Sequence, residues 1–181
     1  MQLYYVKDAK LISFADVDES AFFGKRPEPT KLLLNGHYVT SGNNLVLLIR
    51  RYDKGNLFTI DDESYEKLTI EIKKYTVDIP IKFDSPEIHF YYSSGSCGFV
   101  SKGHGVYSTS GSGNLIIKKV EEDNIVVKLD FTSWAEPAGS FPFEGKKIKV
   151  QGLLSFKEKK VANLTPWLGV PDSSSGKEVY P

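Results

Sequence analysis

Cys97 and His104, seven positions apart in a glycine-rich stretch, are the residues closest to a nucleophile and its base. A thiolate is reactive only where its pKa is lowered, and a lone cysteine in a loop is ordinarily inert. His37, His89 and His104 with Cys97 are the right types to hold zinc, but their spacing fits no ligand pattern, so no metal is expected. Gly98 and Gly103 have the spacing of a phosphate-cradling loop, yet His104 stands where that loop needs its lysine, and the stretch leads into a strand instead of a helix. No G-x-S-x-G elbow occurs. Asp16, Asp18 and Glu19 match a calcium loop only in part, and the acidic runs Asp61–Glu63 and Glu121–Asp123 read as solvated turns. The expectation is a protein that is not an enzyme and carries no cofactor, with Cys97–His104 chemistry as an alternative.

Aromatic side chains carry the stronger signal. Tyr91, Tyr92, Phe99 and Tyr107 lie in or near the stretch from Ser93 to Ser112, and Trp134 and Trp167 follow later. Aromatic residues dominate the energetics of protein interfaces. Glycine lets a backbone approach a partner closely. Phe99, His104, Tyr107, Tyr92 and Trp134 are therefore the expected partner-binding residues, with the stretch 93–112 read as a long, mobile connection that forms part of the binding face.

The element that must position this stretch is a hairpin from Gly113 to Thr132. Leu115 to Val120 and Ile125 to Phe131 flank a polar turn, Glu121-Glu122-Asp123-Asn124. Ile125, Val127, Leu129 and Phe131 share one face, and Val126, Lys128 and Asp130 the other, the period of a half-buried strand. Further strands are expected at Leu3–Val6, Leu11–Phe14, Leu32–Leu34 and His37–Val39 around Asn35-Gly36, Leu45–Arg50, Leu57–Ile60, Leu68–Ile72, Tyr75–Ile79 after a bulge at Lys73-Lys74, Ile88–Tyr92 and Ile148–Phe156. Asp16–Phe23 could hold one helical turn, Arg26–Thr30 and Trp134–Phe143 read as proline-bearing loops, and residues 163–181 read as a tail packed on the domain or extending from it. Short strands separated by turns imply one all-β domain over 1–181, an antiparallel sandwich or barrel of roughly 9–10 strands with little helix.

Composition fits a globular protein, with 40% hydrophobic and 25% charged residues, and the 13% aromatic content suits strands. Lys+Arg and Asp+Glu are both 23, so the chain lacks the basic excess of a nucleic-acid binder. One cysteine precludes an internal disulfide framework, and no apolar run reaches the roughly 20 residues of a membrane span. Met1 to Lys10 lacks the pattern of a signal peptide, so a cytoplasmic protein is expected, although a chain whose leader had been removed would read the same.

The order of motifs carries a resemblance. Leu68-Thr69-Ile70-Glu71-Ile72, Tyr107 to Gly113 leading into Leu115-Ile116-Ile117, Leu129-Asp130-Phe131-Thr132 and Gly152 to Phe156 together resemble uncharacterised bacterial lipoprotein domains of β-sandwich or lipocalin-like type. The chain departs from that group in having no lipobox cysteine near its start and in carrying Lys128 where the group has a glycine. The resemblance implies a fold and no activity. The function expected is binding of another protein, of which an immunity or antitoxin-like role in a bacterium is one concrete form. A small-ligand or carbohydrate-binding module is the alternative, and no feature of the sequence sets an oligomeric state.

Overall fold

A computed structural model describes residues 1–13, 37–53, 63–97, 105–138, 145–161 and 164. All its strands belong to one sheet: β1 (Gln2–Ser13), β2 (His37–Ser41), β3 (Asn44–Asp53), β4 (Glu63–Ile72), β5 (Ile81–Lys82), β6 (Ile88–Cys97), β7 (Gly105–Ser108), β8 (Gly111–Val120), β9 (Asn124–Ala138) and β10 (Lys146–Glu158). Among the described residues there is no α-helix, and so none long and apolar enough to cross a membrane. The all-β expectation holds, as a curled, mixed sheet.

The pairings run β1, β3, β4, β6, β7, β9, β10 and return to β1, with β8 and β5 extending from β9 and β2 pairing with β1. The return is a short parallel register, Tyr4 opposite Lys157 and Tyr5 opposite Glu158, whereas the other pairings are antiparallel. Side chains reinforce this seam. The buried Tyr5 hydroxyl donates to Glu158 Oε2 at 3.1 Å, Lys7 Nζ reaches the same oxygen at 3.0 Å, and Lys159 N donates to Tyr5 O at 2.8 Å.

Alternation explains what fills the curl. Leu45, Leu47 and Ile49 of β3, Leu68, Ile70 and Ile72 of β4, Ile88, Phe90 and Tyr92 of β6, and Ile125, Val127, Leu129 and Phe131 of β9 are all buried in one interior cluster. Phe83, Phe90 and Phe131 meet at ring-centre distances of 4.7 to 5.6 Å, near edge-to-face for two of the three pairs. Val46 and Leu48, on the opposite face of β3, are buried in a second cluster with Val6, Ala9, Leu11 and Val39. A strand buried on both faces reads as a continuous apolar run, as Leu45 to Ile49 does.

The second cluster also buries charge. Glu71 accepts from Asn44 Nδ2 at 2.7 Å and from Leu11 N at 3.3 Å, and His89 Nδ1 lies 3.4 Å from its other oxygen. Arg50 donates to the carbonyls of Ile49 and Leu68 at 3.0 Å and to Thr69 Oγ1 at 2.7 Å.

The hairpin from 113 to 132 forms as expected, with Glu121 N donating to Asn124 O at 2.8 Å across the turn and a bulge between Ile117 and Lys119. Four other expectations are corrected. Leu3–Val6 and Leu11–Phe14 are not two strands: β1 runs unbroken through Asp8, whose φ of 51° marks a register shift between Val6 and Ala9. Tyr75–Ile79 is not a strand. It forms no ladder, and Tyr75, Val77 and Ile79 stand 40%, 42% and 55% exposed, because Asp78 at φ 67° breaks the extension. Trp134 does not open a loop, since β9 continues to Ala138 with Val106 opposite Pro137.

The largest correction concerns residues 93–112. Ser93 to Cys97 completes β6, Gly105 to Ser108 is β7, and β8 begins at Gly111, so most of the stretch is paired strand. Gly113, just beyond the stretch in β8, has φ 120°, and a Cβ there would lie 2.8 Å from the Asp130 carbonyl carbon. The glycine there serves close strand approach. The expectations for Asp16–Phe23, Arg26–Thr30, Asn35-Gly36, Leu57–Ile60, residues 98–104 and the tail apart from Leu164 lie outside the described residues.

Candidate binding surface

Outward positions of β9 and β10 face each other in pairs: Trp134 with Lys147, Thr132 with Lys149, Asp130 with Gln151, and Lys128 with Leu153. These positions are outward because their neighbours Phe131, Ser133, Ala135 and Ile148 are buried. Trp134 is 54% exposed, although an indole has more apolar area to lose to water than almost any other side chain. It lies across Gly145, where a Cβ would come within 2.6 Å of Cε2 and 2.8 Å of Cζ2. The missing side chain at Gly145 is what lets the ring come this close to the backbone.

Beside the indole is an open hollow of about 450 Å³, lined by Ser110, Gly111, Ser112, Thr132, Ser133, Trp134 and Lys147. It offers a ring face, hydroxyl groups and an ammonium group, a set able to take an apolar group edged with acceptors.

Behind this face the strands are pinned. The buried hydroxyls of Ser108 and Ser133 lie 2.6 Å apart and reach the Ser110 carbonyl at 2.9 and 2.7 Å, which ties β7, the turn at 109–110 and β9 together. On the other face of β10, Lys146 Nζ donates to Glu66 Oε1 at 2.9 Å. The Tyr92 hydroxyl donates to the same oxygen at 3.2 Å, and Arg51 Nη1 stands 3.9 Å from Oε2. Burial pushes the Glu66 carboxyl up, but the Lys146 ammonium, with the Tyr92 hydroxyl and Arg51, outweighs it and holds the group below its ordinary range. Burial, foremost, pushes the Tyr92 phenol well up. Trp134 and Lys147 thus project from a backbone held by hydrogen bonds on its inner side, the kind of support that keeps a binding surface preorganised.

The expected contact residues are distributed as follows. Trp134 is on the outer face, exposed. Tyr92 is 2% exposed, an interior residue whose hydroxyl ends on Glu66. Tyr107 is in β7, between Ser93 and Glu136 in register, at the same end of the sheet as Trp134, and its side chain lies outside the described part. Phe99 and His104 also lie outside it, as do the side chains of Cys97 and His37. His89 is beside Glu71, on a different face. Lys147, Ser112 and Thr132 were not singled out by sequence. Their only signal is the outward phase of β8, β9 and β10. Among the described residues no three His, Cys, Asp or Glu side chains gather where they could share a metal ion. Compared with protein-family models, with curated proteins and with solved structures, the chain shows no significant match.

Proposed function

We propose that this protein acts by binding another protein, without catalysis, through the outer face of β9 and β10 around Trp134. The observation that carries the reading is an indole 54% exposed on β9, whose inner side is held by the Ser108–Ser133 contact, beside β10, where Lys146 pairs with Glu66. Exposing so large an apolar group on a rigid element is unfavourable unless a partner covers it, and tryptophan is the residue most enriched among interface hot spots. An immunity or antitoxin-like role in a bacterial cell is one form such binding would take.

The hollow favours one second reading, a carbohydrate module. Trp134 would stack on a sugar ring, and Ser112, Thr132 and Lys147 would meet its hydroxyls. Capture from a cell extract by the wild-type chain and by Trp134→Ala, matched for melting temperature, separates the two. The protein-binding reading expects one discrete protein retained by the wild type and lost by the variant. Retention of an oligosaccharide in its place would favour the second reading, and equal retention by both chains would move the site off this face.

A further inference from the structure

The face around Trp134 carries an uneven charge. Lys128, Lys147 and Lys149 point outward from it, with Asp130 the one carboxylate among the facing pairs and Glu136 just beyond Trp134. Three ammonium groups against two carboxylates leave the face one positive charge in excess, in a chain with equal numbers of acidic and basic residues. Four lysines elsewhere are held in ion pairs, Lys7 with Glu158, Lys118 with Asp78, Lys119 with Glu121 and Lys146 with Glu66, while others such as Lys10, Lys73 and Lys82 are not paired with any described residue. Lys128, Lys147 and Lys149 make no ion pair with any described residue.

Apolar groups bracket this charge. Leu153 is 67% exposed, and Trp134 lies opposite Lys147 in register. From the Trp134–Lys147 pair to the Leu153–Lys128 pair is six residues of β10, or about 20 Å at the rise of a strand. An extended chain laid along β10 turns alternate side chains towards it at the same rise, so residues six apart in the partner reach both apolar ends.

We infer that the face binds an extended acidic segment of a partner protein, with two apolar residues six positions apart and acidic residues between them. This deepens the protein-binding reading and rests on it. The apolar pair seats on Trp134 and Leu153. The carboxylates meet Lys147 and Lys149 as charge-assisted hydrogen bonds, and Lys128 adds to the field. Asp130, in the middle of the face, opposes an acidic residue directly above it and favours a polar one there.

The test is an NMR titration of the isotope-labelled full chain with three probes. One is a serine-rich peptide of about nine residues, long enough to span the face at the rise of a strand, with two leucines six positions apart and two glutamates between them. The second is the same peptide with glutamines for glutamates, and the third a heparin oligosaccharide. The inference expects the acidic peptide to shift the amides of 128–134 and 147–153. Binding should weaken at least about tenfold, roughly 1.4 kcal/mol, for the glutamine peptide and for Lys147→Glu/Lys149→Glu, a variant checked for an unchanged melting temperature. Equal binding of both peptides would overturn the acidic class of partner. Binding of heparin alone would overturn it in favour of an anionic glycan. No shift of the face by the acidic peptide would overturn it as well, and if Trp134→Ala still loses its captured protein, the broader protein-binding reading stands without it.

Discussion

Glu71 shows how a single buried charge is kept. Burial raises its pKa, but the bonds from His89, Asn44 and Leu11 N outweigh this and hold it below its ordinary value of 4.5. A depressed carboxylate contributes stability that is present above the unfolded-state pKa and lost as the pH falls through the folded one. Glu71→Ala also strips the Leu11 amide and Asn44 of their acceptor. The variant should therefore cost about 1–3 kcal/mol near pH 7, and the gap from the wild type should narrow below about pH 4.5. Urea denaturation of both proteins at several pH values checks this, and a gap that stays constant into acid would contradict it. Trp134→Ala is the opposite case. Its half-exposed ring should cost no more than about 1 kcal/mol, slightly beyond the usual surface range, while partner binding falls at least about tenfold.

In the strands, period and burial make adjacent positions unequal. Val127→Lys places an ammonium in the filled interior of β9 and should cost roughly 3 kcal/mol or more. Lys128→Ala, one residue on and facing out, should stay within about 0.5 kcal/mol in a denaturation curve. Equal costs would mean that β9 faces the other way or is buried on both sides. This hairpin was legible in the sequence because a strand buried on one face writes its period into the residues, as Ile125 to Phe131 does. Tyr75, Val77 and Ile79 have the same period and form no strand. Alternation records side-chain phase, whereas a strand also needs a ladder partner, which sequence does not supply. The glycines of 93–113 misled for a related reason. They suit turns and they also suit close strand approach, and only the partner strand, as at Gly113 against Asp130, separates the two. At the candidate site Trp134 was legible as one of several aromatic side chains able to form a binding surface. Lys147 and Lys149 were not, because alternating lysines on a strand resemble any solvated face until their cross-strand neighbours are known.

For the molecule as a whole, the pairing circuit through β1 and β10 and the double burial of β3 set where stability is concentrated. Val46 to Ile49 have both faces covered and both edges paired, so their amides should exchange with solvent only by global opening, while those near the two-residue β5 should exchange sooner. Native-state hydrogen exchange would show this, and faster exchange in β3 than in β5 would contradict it. On that frame the outer face of β9 and β10 is a fixed platform, and the account stands on its being the surface a partner covers. Hydroxyl-radical footprinting of the chain, free and bound to its captured partner protein, tests this most directly. The account predicts that oxidation of Trp134 and Leu153 drops sharply in the complex while Tyr75 and Ile79 react as before. Unchanged oxidation of Trp134 and Leu153, with protection appearing at Tyr75, Val77 and Ile79 instead, would contradict it.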